Sequence, residues 1–407
     1  MTTTINNEHK KLNVPNLRFP EFQGEWEESS IGEMFDLYSG NTPSRLNKEH
    51  FKGTINWISS GELKEHYIYS SKEQISEEAA KSLKLLPVGT FVIAIYGLEA
   101  EGVRGTGSII QEPSTISQAC MSFIPKGVIE NEFLYSWYKK HGNVIGIRYA
   151  QGTKQQNLSY DILEKFKIAY PNTKEQEKLN NFISLLDERI STQNKIIEDL
   201  KKLKCAIIEE LLNYREGGEV CLGDVGSFVR GLTYRSDDIV EESGTIVMRS
   251  NNIVNGCPLD YKNNLVYVNK PILSEQLLQS GDVVICMANG SSALVGKSSY
   301  YDGGCLLPIT IGAFCGVYRS NEPLAKWLFQ TSTYRRYIRK SLQGGNGAIA
   351  NLNGDDILRM SFEIPEVSTK KRFVKLLTST DSAIKNNSRL YDLYIAQKQY
   401  LLRQMFI

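Results

Sequence analysis

Apolar and polar positions follow a helical period over two long stretches of the chain. After Pro171, apolar residues recur every three to four positions from Leu179 to Leu211, and after Pro365 the same spacing runs from Phe373 to Met405. Both stretches lack glycine and proline, and their period predicts helices with a coiled-coil seam. The simplest interpretation is that the two helices pack on each other. The alternative, in which each helix caps its own domain, stays open at this point.

The regions before the two helices show the shorter apolar runs that are typical of β-strands. The runs Phe91–Tyr96, Asp282–Met287 and Ile311–Tyr318 lie between glycine-rich turns. Helical stretches rich in aromatic residues are predicted over Phe133–His141 and Leu324–Lys340. This mixture predicts the α+β class.

The chain repeats itself with an offset of 191 to 194 residues. Short patterns recur in one order: Ile31-Gly32 as Leu222-Gly223, Gln151-Gly152 as Gln343-Gly344, Asn157-Leu158 as Asn351-Leu352, and Asp187 as Asp381. The polar positions within the first helical seam, Gln193 and Lys204, recur as Asn387 and Lys398. So many matches in one order indicate two diverged copies of one unit. Duplication head to tail favours a pseudo-twofold arrangement in which the two helices pair antiparallel.

The predicted organisation is two pseudo-repeated α+β domains, each followed by a long helix. The domains are predicted at residues 1–172 and 217–366, and the helices at 173–216 and 367–407.

Composition narrows the class of protein without naming a ligand. The 407 residues are 41% hydrophobic and 23% charged, which is typical of a soluble globular protein and excludes disordered and collagen-like classes. The apolar run Phe91–Tyr96 is far shorter than a membrane span, so no membrane partner is expected. Seven cysteines without a C-x-x-C pair favour free thiols in a reducing cytoplasm. The net charge is only +1, although residues 367–407 carry eight basic and two acidic side chains.

Catalytic signatures are missing from the sequence. The stretch Gly290–Ser298 is similar to a phosphate-binding P-loop, but it has five residues between its glycines where that motif needs four. The chain has no Asn/Asp-Pro-Pro-aromatic tetrapeptide, which an adenine-methylating enzyme would show, and no metal-ligand spacing. The four histidines are scattered through the first half and are expected at the surface. We therefore expect no catalytic residue, metal or cofactor in this chain.

Binding chemistry is present instead. The segment Tyr334–Lys340 interleaves aromatic residues with four cations, as a surface that follows a phosphate backbone would; the alternative interpretation is a solvated helix face. Glycine-rich loops at paired positions of the two copies carry the amide, hydroxyl and guanidinium groups that read base edges or hold phosphates. The copies differ most at these loops, which suggests two different ligands. The candidate DNA-binding residues are Asn41, Arg45, Ser60, Lys64, Arg104, Thr106, Lys154, Gln155, Arg230, Tyr234, Arg235, Arg249, Asn251, Asn289, Ser291, Lys297, Arg335, Arg336 and Asn346.

The whole chain resembles the specificity subunit of type I restriction-modification systems. The resemblance is carried by the opening Val14-Pro-Asn-Leu-Arg-Phe-Pro-Glu-Phe22 with Trp26 and Ile31-Gly32, by the Gly-(Thr/Asp)-x-Val-Ile strand before each glycine-rich loop, and by Tyr170-Pro171-x3-Glu175-Gln176-x4-Asn181-x4-Leu186-Asp187-x2-Ile190. The second copy departs from this pattern, because Lys370-Lys371 replaces the acidic-Gln pair.

The resemblance implies two target recognition domains, at 1–172 and 217–366, joined by antiparallel helices, with each domain reading one half of a split double-stranded DNA site. It implies a cytoplasmic, non-catalytic subunit that recruits two methyltransferase subunits and the restriction and translocase subunits. S-adenosylmethionine, ATP and Mg are then expected on those partners. The competing hypothesis is a coiled-coil scaffold whose twin domains bind proteins, and salt-dependent binding to duplex DNA distinguishes the two.

Overall fold

The computed structural model describes residues 12–100, 102–152, 156–214, 217–342 and 350–407. The chain divides into two compact units. The first comprises residues up to Gln193 together with Arg389–Ile407, and the second comprises Asn194–Ser388. Each unit therefore contains one half of each long helix. In the described parts of the chain, no helix is long and apolar enough to cross a membrane.

The first unit is built from two mixed sheets, a strand pair and helices. Its strands are β1 (Glu27–Ser30), β2 (Phe35–Ser39), β3 (Ile55–Ile58), β4 (Tyr67–Ile68), β5 (Glu73–Ile75), β6 (Phe91–Ala94), β7 (Gly107–Ile110), β8 (Ser114–Ile116), β9 (Cys120–Pro125) and β10 (Lys167–Tyr170). Its helices are α1 (Ile31–Met34), α2 (Glu77–Ala80), α3 (Asn131–Tyr149), α4 (Tyr160–Leu163) and the first half of α5 (Thr173–Asn213). The sheet orders are β2-β9-β6-β7-β4, β5-β3-β8 and β1-β10.

The second unit repeats this plan. Its strands are β11 (Gly217–Cys221), β12 (Gly226–Arg230), β13 (Ile239–Val240), β14 (Thr245–Met248), β15 (Val266–Val268), β16 (Val283–Cys286), β17 (Ala288–Asn289), β18 (Ser298–Tyr300), β19 (Ile309–Ile311), β20 (Cys315–Ser320), β21 (Ala350–Asn351) and β22 (Ser361–Pro365). Its helices are the second half of α5, α6 (Leu222–Val225), α7 (Ala325–Leu328), α8 (Ser332–Leu342), α9 (Gly354–Leu358) and the first half of α10 (Val367–Met405). The sheet orders are β12-β20-β16-β18, β13-β15-β14-β19, β11-β22 and β17-β21.

Matching strand pairs confirm the internal repeat. The antiparallel pair of β1 with β10 corresponds to β11 with β22, and the parallel pair of β3 with β8 corresponds to β14 with β19. The buried strands β6 and β16 occupy equivalent central positions, and every residue of both strands is buried. A strand covered on both faces reads as a continuous apolar run, which is why these two were predictable from the sequence.

Two predicted elements are interrupted in the structure. The run Ile311–Tyr318 is not one strand, because a turn at residues 312–315 separates β19 from β20. The hydrogen bond from Cys315 N to Gly312 O (2.8 Å) closes this turn. The helical stretch Leu324–Lys340 is likewise two helices, α7 and α8, since residues 329–331 lie between them.

The long helices run antiparallel within each unit. In the first unit, Asp187 of α5 accepts a hydrogen bond from Lys398 of α10, and the Arg189 guanidinium lies 5.2 Å from the Tyr394 ring. Residue numbers therefore rise along one helix where they fall along the other. In the second unit, Lys204 Nζ lies 2.8 Å from Asp381 Oδ1, and Thr369 Oγ1 donates to the hydroxyl of Tyr214, just after α5, at 3.3 Å, so the same order holds there. The predicted antiparallel coiled coil is thereby confirmed.

The seam also joins each helix to its own domain. Leu179 and Ile183 of α5 are 2% and 1% exposed and share a cluster with Phe133 of α3 and with Met405 of α10. The apolar stripe is regular because it is buried against both a helix and a domain. Burying each of its apolar side chains contributes roughly 1.5–3 kcal/mol to the free energy of folding.

Glu175 and Gln176, which are part of the family motif, are buried polar residues at the start of α5. We call their contacts with the domain the joint. Arg18 donates to both carboxylate oxygens of Glu175 at 2.7 Å, and the Trp26 indole lies 3.3 Å from the same carboxylate. Gln176 accepts from Glu130 N at 3.0 Å. The joint ties the N-terminal segment and α3 to the long helix.

The second copy replaces this joint with an ion pair. The paired strands before the two helices have an offset of 194, so Thr369 and Lys370, and not Lys370 and Lys371, are the counterparts of Glu175 and Gln176. Lys370 lies 2.9 Å from the Glu322 carboxylate, and both side chains are largely buried. Where the second copy departs from the motif, a hydrogen bond of Gln176 to a backbone amide is therefore replaced by the ion pair of Lys370 with Glu322.

Candidate nucleic-acid interface

The candidate loops of the two units leave equivalent points of the scaffold. Gly40 and Gly231 follow β2 and β12, and at each a Cβ atom would lie about 2 Å from a carbonyl oxygen, that of Ile116 or of Gly312. Only glycine fits so close an approach of two backbones. The paired glycines found in the sequence thus mark where the loops 38–45 and 230–235 start.

In the first unit, Arg45 is held by its own domain. Its guanidinium donates to both Glu73 carboxylate oxygens at 2.7 Å and lies 4.5 Å from the Phe51 ring. The hydrogen bonds from Arg45 lower the pKa of Glu73. Both side chains stay about half exposed, so Arg45 is a positioned surface cation beside the exposed Asn41.

The other described candidates of the first unit are partly used by their own loops. Arg104 Nε donates to Leu98 O at 2.7 Å, and its stem packs against Gly146 of α3. Thr106 Oγ1 donates to Val103 O at 2.7 Å. Ser60 is half-buried in a short 3-10 turn, Ser60–Glu62, and Lys64 is exposed just beyond it.

The second unit presents more of its candidates to solvent. The side chains at the surface are Arg230, Arg235, Asn251, Ser291, Arg335 and Arg336. Tyr234 is half-buried and packs on a cluster that contains Leu232 and Val247. Arg249 donates from Nη2 to Asn264 O at 3.2 Å, and Asn289 accepts from Ser291 N at 3.0 Å.

Two of the predicted cations share one groove of the second unit. Lys297 and Arg335 line an open groove of about 540 Å³ between α8 and the loop at residues 292–297. Arg339, another cation of the predicted segment Tyr334–Lys340, lies one helical turn beyond Arg335 and lines the same groove. The Tyr334 hydroxyl donates to Gly296 O at 2.7 Å and fixes the helix to the loop. Three cations on one concave surface suit a string of phosphates.

The corresponding loop of the first unit is packed differently. There the Arg104 stem fills the space beside Gly146, and Gly105 lies against the backbone of Gly142 and Asn143. The two units therefore offer different surfaces at one position of a shared scaffold. Lys154, Gln155 and Asn346 lie outside the described residues, and their role stays a prediction.

His66 contradicts the expectation that the histidines are surface residues. Its side chain is 11% exposed and is stacked between the rings of Tyr67 and Tyr135, at 4.1 and 3.9 Å. Its two ring nitrogens lie 2.9 Å from a Glu132 carboxylate oxygen and 3.1 Å from one of Asp187. Burial opposes the imidazolium, but the hydrogen bonds to the two carboxylates outweigh burial and raise the pKa of His66.

The second unit has a matching anchor at Asp381, the counterpart of Asp187. Its carboxylate lies 2.8 Å from Lys204 Nζ, 3.1 Å from Lys326 Nζ and 3.1 Å from Trp327 Nε1. Each domain is thus held to a carboxylate of a long helix, and the same carboxylate pairs with a lysine of the other long helix. The recurrence of a lysine within both apolar seams was the sequence signal for these anchors.

Comparison with known proteins gives the family. The Methylase_S family, described as the type I restriction modification DNA specificity domain, matches residues 23–202 and 215–392. The chain is 30% identical over 185 residues to the type I restriction enzyme MjaIX specificity subunit of Methanocaldococcus jannaschii, covering 44% of this chain and 42% of that protein. It is 31% identical over 210 residues to the EcoR124I/EcoR124II specificity subunit of Escherichia coli, covering 50% of each. The chain spans about half the length of these curated relatives.

A solved structure supports the fold. The crystal structure of the type I restriction-modification system S subunit from M. genitalium is similar over 97% of this chain and 99% of that one, with a TM-score of 0.59 at 16% identity.

Proposed function

The chain belongs to the type I restriction modification DNA specificity family, and on that premise we propose that it reads a split DNA target, one half with each recognition domain. The observation that carries this proposal is the presence of two copies of one scaffold with different polar groups at equivalent loops. A protein that read one sequence twice would have no reason to differ at those positions. In the second domain the phosphate backbone would follow the groove of Lys297, Arg335 and Arg339, and the loops would contact base edges.

The chemistry of modification belongs, in this proposal, to other chains. We propose that this chain supplies recognition and contributes no catalytic residue or cofactor to the reaction. Two methyltransferase subunits would supply the reaction that uses S-adenosylmethionine, and restriction and translocase subunits the one that uses ATP and Mg. The anchors at Asp187 and Asp381 suit such a role, because they hold each domain to the long helices in one orientation.

The test is an exchange of one domain. We would co-express the chain with its methyltransferase subunits, map methylated adenines in the host genome, and then replace residues 217–366 with the equivalent segment of a relative. The expected result is a split motif in which one half changes and the other is retained. The control replaces only the residues at the two junctions and should leave both halves unchanged.

Two outcomes would contradict the proposal. A simultaneous change of both halves would show that the domains do not read DNA independently. Absence of salt-dependent binding to duplex DNA by the assembled complex would favour the protein-binding scaffold instead.

A further inference from the structure

A large aromatic side chain stands exposed at the turn that splits the predicted strand Ile311–Tyr318. Ala313 and Phe314 form the corner of this turn, and Phe314 is 66% exposed. Among the described residues, the Phe314 ring belongs to none of the apolar clusters of the second unit. A single exposed apolar side chain is ordinary by itself, so the position of this turn among the loops decides whether Phe314 is a candidate contact residue.

The turn lies where the candidate loops of the second unit meet. The Phe314 carbonyl accepts from Met287 N at 2.9 Å and from Ala288 N at 3.2 Å, directly before the loop 289–297. Gly231 N donates to Cys315 O at 3.3 Å, so the loop 230–235 leaves from the other side. Arg230 is paired across the sheet with Gly316, two residues beyond Phe314. The turn that carries Phe314 is therefore bonded through its backbone to the segments from which the loops that we assign to DNA begin.

The charges around the turn favour a polyanion over an apolar protein surface. Arg230 is exposed, and Lys297 lies half-buried at the far end of the neighbouring loop. In the described ranges, neither side chain forms an ion pair with a carboxylate. Covering them with an apolar protein surface would bury unpaired charge, which is costly, whereas a DNA duplex would supply phosphates.

The first unit carries the same turn with a small side chain. Cys120 N donates to Ser117 O at 3.0 Å, and the Ala119 carbonyl accepts from Ile95 N at 2.9 Å. These bonds match those of Cys315 and Phe314, so Ala119 is the structural equivalent of Phe314. The chain thus contains its own comparison: one scaffold position with a phenyl ring in one domain and a methyl group in the other.

We propose that Phe314 is a specificity-determining residue of the second domain and that its ring contacts the methyl group of a thymine in the half-site read by that domain. The inference rests on the proposed function. Among the groups that base pairs present in the major groove, the thymine C5-methyl is the apolar one, and a phenylalanine ring is a known contact for it. Ala119 would reach less far from the same turn, so the first half-site would not have this contact.

The test compares Phe314→Ala with Ala119→Phe in the full chain assembled with its methyltransferase subunits. The probe is a duplex that carries the target mapped in the host, with each thymine of the second half-site replaced in turn by deoxyuracil, which removes only the methyl group. For the wild-type complex, one such replacement should weaken binding about fourfold, the ratio expected for one buried methyl group. Phe314→Ala should bind the thymine and deoxyuracil duplexes equally, and its thermal stability should equal that of the wild type.

Ala119→Phe is the matched control. It places the same ring at the equivalent turn of the other domain and should leave the thymine preference in the second half-site unchanged.

Each remaining result has a definite meaning. If the wild-type complex tolerates deoxyuracil at every position of the second half-site, or if Phe314→Ala keeps the full preference, the role of Phe314 is overturned. If Phe314→Ala instead fails to assemble with the methyltransferase subunits, the ring faces a protein and the inference is also overturned. A wild-type complex without any sequence preference would be a failure of the proposed function, which is a separate result.

Discussion

Replacing Asp381 with asparagine should destabilise the second unit strongly. The Asp381 carboxylate accepts from two lysines and one indole, and its side chain is only 11% exposed. Lys204, its closest partner, is 9% exposed. An asparagine would keep the size of the side chain but remove the negative charge, and its amide group would turn one acceptor into a donor facing other donors.

The magnitude follows from the burial of the partners. Removing one member of a buried ion pair costs about 3–5 kcal/mol, because the other charge is left uncompensated. Lys204 also donates to Gly256 O at 2.8 Å, and Lys326 is 23% exposed and lies 4.5 Å from the Tyr300 ring, so both keep part of their stabilisation. We therefore expect the lower end, about 3 kcal/mol. For a unit of this size the loss corresponds to a melting temperature lower by roughly 6–12 °C.

The assay should report on the second unit alone. Trp327 donates to Asp381 and lies in that unit, whereas the other three tryptophans, Trp26, Trp57 and Trp137, lie in the first. Fluorine NMR of the full chain labelled with 5-fluorotryptophan, followed through a urea titration, therefore gives a separate unfolding curve for the second unit. The signal of Trp327 is assigned with Trp327→Phe.

The control is an exposed ion pair on α5, the long helix that carries Lys204, and it sets a quantitative limit for the effect of Asp381→Asn. Glu198 pairs with Lys201 at 2.8 Å, but both side chains are about half exposed, so Glu198→Gln should cost less than about 1 kcal/mol. In addition, Lys204→Met combined with Asp381→Asn should cost less than the sum of the two single changes, because they share one interaction. If Asp381→Asn costs no more stability than Glu198→Gln, or if the effects of Lys204→Met and Asp381→Asn are simply additive, then Asp381 does not anchor the second domain.

Two further predictions concern pH and salt. The first unit should lose stability as pH rises from about 6.5 towards 8, because the pKa of His66 is raised in the folded state and its charged hydrogen bonds are lost when the imidazolium deprotonates. Urea midpoints of the first unit measured against pH should show this decline, and His66→Gln should flatten it. An equal decline in the wild type and in His66→Gln would refute the prediction. The range ends at 8 because burial lowers the pKa of Lys139 to about 8. Replacing Lys297 or Arg335 with alanine should weaken binding to all duplexes alike, and each change should reduce the slope of log affinity against log salt concentration by about 0.9. Fluorescence anisotropy titrations measure this slope, and Lys201→Ala is the control. An unchanged slope would mean that no phosphate binds in this groove.

The long helices were predictable because their signal is spread over some 40 residues. A period of 3.5 maintained through ten turns leaves little ambiguity, and the repeat doubled the information for each strand and loop. The equivalence of β6 with β16, and of the loops after Gly40 and Gly231, was therefore available from the sequence.

The details of the interface depend on contacts that the local sequence does not contain. The turn at Phe314 interrupts a run that is apolar or small throughout, so no alternation marked the break at Gly312. The burial of His66 depends on Glu132 and Asp187, which are 66 and 121 residues away. The pairing of Arg45 with Glu73 likewise joins a loop to the start of β5, 28 residues further along the chain.

The anchors also decide which domain exchanges can succeed. Asp381 and Lys370 lie on α10, outside the exchanged segment 217–366, whereas their partners Lys326, Trp327 and Glu322 lie within it. An incoming domain that lacks a donor opposite Asp381 would leave a largely buried carboxylate facing Lys204 alone, and one that lacks an acid opposite Lys370 would leave a buried ammonium unpaired. The first domain meets the equivalent carboxylate, Asp187, with a histidine and the equivalent of Lys370 with a backbone amide. We therefore expect that neither domain can take the place of the other on its helix, and that a foreign domain with the same anchor residues can replace either one.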